Sequence, residues 1–207
     1  IIKKKEFWKN EFYVNKDVLV PRPETEHLVE ETLNVIYKTQ KKKLLEIGIG
    51  SGCLITSVLK DRENCSAIGI DSCPRAVKIA KINANLHHIN NRIKILKTDV
   101  DNFKTGKYDL ILSNPPYIEK HQLKYLGVSK HEPLKALNGG IDGIETLMKV
   151  IIKASQLLKI NGKLIIEIGY KQKYKVIKIL NKYNFYINKI TKDFSNYDRC
   201  IVSTKLP

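Results

Sequence analysis

The chain has 207 residues, 43% of them hydrophobic and 28% charged, the balance of a soluble globular protein with room for one α/β domain and its core. Its net charge of +16 rests on 37 basic residues, but few are arginine and they are spread over every segment. Solvated faces therefore explain most of the charge, and direct nucleic-acid binding is the less favoured reading beside attraction to an RNA-rich assembly such as the ribosome. No apolar run approaches the roughly 18–20 residues of a membrane span, and nothing at the start resembles a signal peptide, so neither is expected.

From the N-terminus, an aromatic-bearing lead over 1–23 is expected to form a linker hairpin, and 24–207 to form the main domain. A helix is predicted over 24–38, with Leu28, Val29, Thr32, Leu33 and Ile36 on one face. Strand and helix then alternate: strand 44–49, helix 53–61, strand 67–71, helix 74–87, strand 93–98 and strand 108–113. A loop over 118–142 follows, long enough to suggest a function. Next come a helix over 143–158, a turn at Asn161-Gly162, a strand over 163–168 and a helix over 172–182. Two β-rich runs, 185–191 and 200–205, close the chain as a hairpin. This order predicts an α/β fold with a mostly parallel sheet, helices on both faces and a C-terminal antiparallel edge hairpin. The first residue is Ile1, not methionine, which predicts a segment of something longer.

Cys53, Cys65, Cys73 and Cys200 form no C-x-x-C pair. With His27, His87, His88, His121 and His131 equally scattered, no metal is expected, and the cysteines read as free thiols of a reducing, cytoplasmic compartment.

Two constellations carry chemistry. The first is Glu46-Ile47-Gly48-Ile49-Gly50-Ser51-Gly52, which closes one strand and opens a helix, answered by Asp71 at the end of the next strand. Gly48, Gly50 and Gly52, with Ile49 and Ser51 between them, allow a tight turn and close approach to a ligand. Asp71 is placed to grip a ribose diol. The spacing is not G-x-G-x-x-G, an acid precedes it and no lysine follows, so a nucleoside with a cationic tail suits it better than a pyrophosphate. Asp99 is placed to accept from an adenine amino group, with Val100 as an apolar edge. The plainer readings are a helix cap for Asp71 and a turn residue for Asp99.

The second is Asn114-Pro115-Pro116-Tyr117 at the end of a buried strand. Two prolines stiffen the backbone and donate no N–H. The Asn114 side-chain oxygen and the Pro115 carbonyl are thus free to accept from one planar NH2 group, against the Tyr117 ring. The plainer reading is a stiff strand-to-loop turn. Together the two constellations point to S-adenosyl-L-methionine as cofactor and to an NH2 group as methyl acceptor.

These residues resemble the class I methyltransferases that modify planar nitrogens. Three further stretches, 18–26 (Val-Leu-Val-Pro-Arg-Pro-Glu-Thr-Glu), 132–143 and 161–169, resemble the HemK/PrmC family of release factor glutamine methyltransferases. The resemblance implies a Rossmann-like fold with a seven-stranded sheet. It also implies methylation of the glutamine in the Gly-Gly-Gln loop of peptide chain release factors. By the same resemblance, Gly48, Gly50 and Gly52 shape the cofactor loop, Asp71 binds ribose, Asp99 and Val100 flank adenine, and Asn114 and Pro115 hold the amide beside Pro116 and Tyr117. The chain departs from the family in having Val100 where an aromatic residue is frequent, and the family's small N-terminal helical domain is expected to be absent from these residues. The alternatives are a DNA or RNA amino methyltransferase, a glutamine methyltransferase of a ribosomal protein, and a cofactor-binding scaffold without catalysis.

Overall fold

In the computed structural model, residues 3–125 and 132–207 are described; His131 and the centre of the long loop lie outside them. The lead forms a hairpin, β1 (Lys4–Phe7) and β2 (Asn10–Tyr13). After it come α1 (Glu26–Val35), β3 (Lys43–Ile47), α2 (Cys53–Asp61), β4 (Ser66–Asp71), α3 (Pro74–Leu86), β5 (Ile93–Lys97) and β6 (Tyr108–Ser113). The second half holds α4 (Glu145–Leu157), β7 (Leu158–Glu167), α5 (Lys173–Lys182), β8 (Phe185–Lys192) and β9 (Asp198–Lys205).

Seven strands make one sheet in the order β5-β4-β3-β6-β7-β9-β8. The first five run parallel, while β9 pairs antiparallel with both β7 and β8, placing the terminal hairpin at the edge. The central strands are nearly continuous apolar runs because both sheet faces are covered. Leu44, Leu110 and Ile165 pack on one face with Leu28 of α1 and Ile55 of α2. Leu45, Ile111 and Ile166 pack on the other with Leu147 of α4 and Val176 of α5. Phe7 and Phe12 of the lead hairpin join the first of these clusters, so the hairpin shares the core of the main domain.

Two elements differ from expectation. The helix predicted over 24–38 begins only at Glu26, after a 3-10 turn over Pro23–Thr25, and ends at Val35. Arg62 stops it by donating to the carbonyls of Leu33 (2.6 Å) and Ile36 (2.6 Å), which supplies partners the helix end lacks. The other difference is at Asn161-Gly162, which lies within strand β7 instead of preceding it. Asn161 adopts φ 63°, and the pairing with β6 slips from Tyr108↔Leu158 to Leu110↔Lys163, so the expected turn is an irregularity inside one longer strand.

Strand order reverses at β3: β4 and β5 extend to one side and β6 returns on the other. Ligands of such sheets bind beyond the carboxyl ends of the strands at that point.

Candidate active site

β3 ends in Glu46-Ile47 and passes directly into the glycine loop. Gly48, Gly50 and Gly52 take φ of 76°, 55° and 80°, a left-handed backbone that side chains resist. The loop is anchored on β4: the Gly48 and Ile49 N–H groups both donate to the Ile70 carbonyl at 2.9 Å. Asp71 receives the Gly50 N–H at 3.0 Å on one oxygen and the Cys73 N–H at 2.8 Å on the other. Cys73 is the residue before α3, so Asp71 both organises the loop and makes an Asx turn into the helix.

Glu46 is buried, with one oxygen accepting the Ile55 N–H of α2 at 3.2 Å. Burial, with the charge of nearby Asp71 adding to it, holds its carboxyl well above the usual range. Asp71 is raised as well, chiefly by burial. Two converging acids, neither of them in a salt bridge among the described residues, are a fitting surround for a cationic ligand with hydroxyls. Asp99 and Val100 stand farther out, beyond the end of β5. The Asp99 carboxylate is exposed and accepts the Asp101 N–H at 2.9 Å, while Val100 is half-buried against the second core cluster.

A residue that sequence reasoning missed supports the loop from below. Asn83 of α3, fully buried, donates to the carbonyls of Ser51 (2.8 Å) and Tyr13 (2.9 Å) and accepts the Tyr13 N–H (2.8 Å). It ties the glycine loop to the lead hairpin. Asn83→Ala strands these three groups at about 1–3 kcal/mol each, so a drop of at least about 6 °C in melting temperature is expected, with weaker S-adenosylhomocysteine binding. Thermal unfolding with and without that ligand checks it; an unchanged transition would remove the tie from the account.

The Asn-Pro-Pro-Tyr segment leaves β6 beside the glycine loop, since β3 and β6 are neighbours. Ser113 fastens the two by donating from its hydroxyl to the Ile47 carbonyl at 2.7 Å. Asn114, Pro115, Pro116 and Tyr117 line a cavity of about 140 Å³, together with Leu19, Arg22, Ala136 and Leu137 among others. That is smaller than the roughly 300 Å³ at which drug-sized ligand sites begin, and suits a single side-chain group. Behind the segment, a Cβ on Gly139 would lie 2.7 Å from the Tyr117 Cα, so only glycine lets the returning loop press this close. Buried Gln172 closes the rear, donating to the carbonyls of Tyr117 (2.9 Å) and Gly143 (3.0 Å).

Two remote residues hold the cradle's side chains, and no spacing in the sequence announces either. Asn114 Nδ2 donates to Thr25 Oγ1 at 2.9 Å, and the Thr25 hydroxyl donates to Glu167 Oε2 at 2.7 Å. The Tyr117 hydroxyl donates to Glu167 Oε1 at 3.1 Å. A further link fixes the cavity-lining Arg22: its Nη2 donates to Glu132 Oε2 at 2.7 Å, and the Val20 N–H to Glu132 Oε1 at 3.0 Å.

The chain matches the methyltransferase small-domain family over residues 25–130. It is 35% identical to the release factor glutamine methyltransferase of Caulobacter vibrioides, over 100% of this chain and 73% of that protein. It is 35% identical to the bifunctional methyltransferase of Rickettsia typhi over 95% of this chain, but spans only 42% of that relative's length. In fold it matches the crystal structure of a methyltransferase from Pyrococcus furiosus with a TM-score of 0.68 at 19% identity, covering 92% of this chain and 86% of that one. No described helix is long and apolar enough to cross a membrane.

Proposed function

The chain belongs to the release factor glutamine methyltransferase family, and we propose that it methylates the side-chain amide nitrogen of the glutamine in the Gly-Gly-Gln loop of a peptide chain release factor. S-adenosyl-L-methionine would be held by Asp71 at the ribose, by the glycine loop over 48–52 and by buried Glu46 at the cationic end. When bound it supplies a methyl group made electrophilic by the sulfonium.

The chain's own work is to aim a poor nucleophile. An amide nitrogen has its lone pair delocalised into the carbonyl, and its pKa is far too high for prior deprotonation. The Asn114 side-chain oxygen and the Pro115 carbonyl accept its two N–H bonds, which turns the lone pair toward the cofactor side and stabilises positive charge as it develops on nitrogen. Tyr117 and Pro116 confine the plane of the group.

One observation carries the choice of a glutamine over other planar nitrogens. The stretches 18–26 and 132–143, which mark the family, meet through the Arg22–Glu132–Val20 hydrogen bonds, and both line the cavity, the first with Leu19 and Arg22, the second with Ala136 and Leu137. They build the wall that a protein loop inserting one side chain would meet. We place the reaction in the cytoplasm, near ribosomes, where the free thiols and the basic surface are suited.

The test is transfer of labelled methyl from S-adenosyl-L-methionine to purified release factor, to the same factor with its Gly-Gly-Gln glutamine changed to alanine, and to ribosomal protein and nucleic acid. Label on the first substrate alone is expected. Equal label on the alanine variant, or label confined to nucleic acid, overturns the proposal.

A further inference from the structure

The Asn114 carboxamide has two ends, and only its oxygen is useful for gripping an N–H. The direction of the hydrogen bonds behind it decides which end faces the cavity. Thr25, buried in the 3-10 turn before α1, has one hydroxyl proton. Glu167, buried at the end of β7, has none to give when ionised, so the Thr25 proton goes to Glu167 Oε2 at 2.7 Å. Thr25 Oγ1 then has only lone pairs for Asn114, and must be met by the Asn114 NH2, as it is at 2.9 Å. Asn114 Oδ1 is left facing away from Thr25, with no donor to it among the described residues. The other Glu167 oxygen holds the Tyr117 hydroxyl at 3.1 Å.

We propose that Glu167 is the positioning residue of this cradle: through Thr25 it fixes which end of Asn114 meets the substrate amide, and through the Tyr117 hydroxyl it fixes the ring beside it. This rests on the methyl-transfer reading above and adds the control of the acceptor's polarity.

The relay has a titratable origin. Burial pushes the Glu167 carboxyl up to about 7; the Thr25 and Tyr117 hydroxyls and Arg199 of β9 pull it down, and Glu24 pushes it up. Cys200, beside it on β9, is held well above the usual thiol range by burial and stays neutral. Protonated Glu167 becomes a donor to Thr25, whose own proton is then free to turn to Asn114 Oδ1. The amide rotates, and NH2 is offered where an acceptor is needed. The competent form is ionised, so turnover falls as pH drops through about 7.

Glu167→Gln is close in shape but can donate to Thr25, so it allows the reversed arrangement at every pH. With release factor as acceptor, it is expected to lower kcat about 10–100-fold with little change in cofactor Kd or release-factor KM, and to abolish the acid limb of the kcat profile. Thr25→Val is expected to behave alike, and Thr25→Ser to restore kcat. A second readout needs no substrate. The side-chain NH2 resonances of Asn114, assigned with Asn114→Ala, are expected to titrate near neutral pH in the natural protein and not in Glu167→Gln. Wild-type kcat with an intact acid limb in Glu167→Gln, or Asn114 resonances that do not move with pH, overturns the relay. A natural protein that methylates no release factor yet shows the titration overturns the substrate reading and leaves the relay standing.

Discussion

Replacing Asn114 by alanine is expected to lower turnover by about 10²–10³-fold, equivalent to about 2.7–4 kcal/mol of lost transition-state stabilisation. The loss is expected on kcat more than on cofactor affinity, because in the proposed reaction Asn114 would grip the acceptor amide while Asp71 and the glycine loop would grip the cofactor. Proline cannot supply the missing contact: Pro115 and Pro116 have no N–H, and the Pro115 carbonyl reaches one of the two N–H bonds at most. The segment itself is expected to stay in place, since Ser113 still binds the Ile47 carbonyl and Gln172 the Tyr117 carbonyl. Single-turnover methyl transfer at saturating S-adenosyl-L-methionine, with calorimetric binding of S-adenosylhomocysteine alongside, separates the two effects. Turnover equal to that of the natural chain would defeat the cradle mechanism outright.

What the sequence made legible was local. Strand β6 is an apolar run ending at a proline pair, and α2 opens after a glycine; both bounds follow from neighbouring residues. The glycine loop and Asp71 are legible for the same reason, being the two ends of a strand-turn-helix-strand unit. The residues that aim the cradle are not local. Thr25 and Glu167 are separated by 142 positions, and Val20 and Glu132 by 112. A hydrogen bond between two strand or turn ends leaves no periodic mark, and each such residue alone reads as an ordinary polar side chain. Helix α1 is shorter than its apolar spacing suggests for a related reason. Ile36 continues the helical pattern, but it is buried in extended backbone and its carbonyl is taken by Arg62, 26 positions away.

Asp71 carries the second large effect. Asp71→Ala is expected to weaken S-adenosylhomocysteine binding by about 10²–10³-fold, the loss of two hydrogen bonds to a charged acceptor at about 1.5–3 kcal/mol each, partly offset by relaxation. Both carboxylate oxygens already accept a backbone N–H, from Gly50 and Cys73, and each retains a further lone pair for a ribose hydroxyl. On the proposed reading their removal would therefore strike twice, at the ligand and at the glycine loop. The competing reading is that Asp71 only shapes the entry to α3, in which case its loss costs stability of about 0.5–2 kcal/mol, the scale of a helix cap, and no more. Thermal unfolding and ligand titration of the one variant distinguish them. A lowered melting temperature with an unchanged Kd, measured well below the transition, would make Asp71 a turn residue and leave the ribose without its acceptor. In Asp71→Asn one backbone N–H must face an amide NH2 in place of an oxygen, so this near-isosteric change is expected to resemble alanine in binding. If it instead binds as the natural chain does, the charge on Asp71 has no part in holding the cofactor.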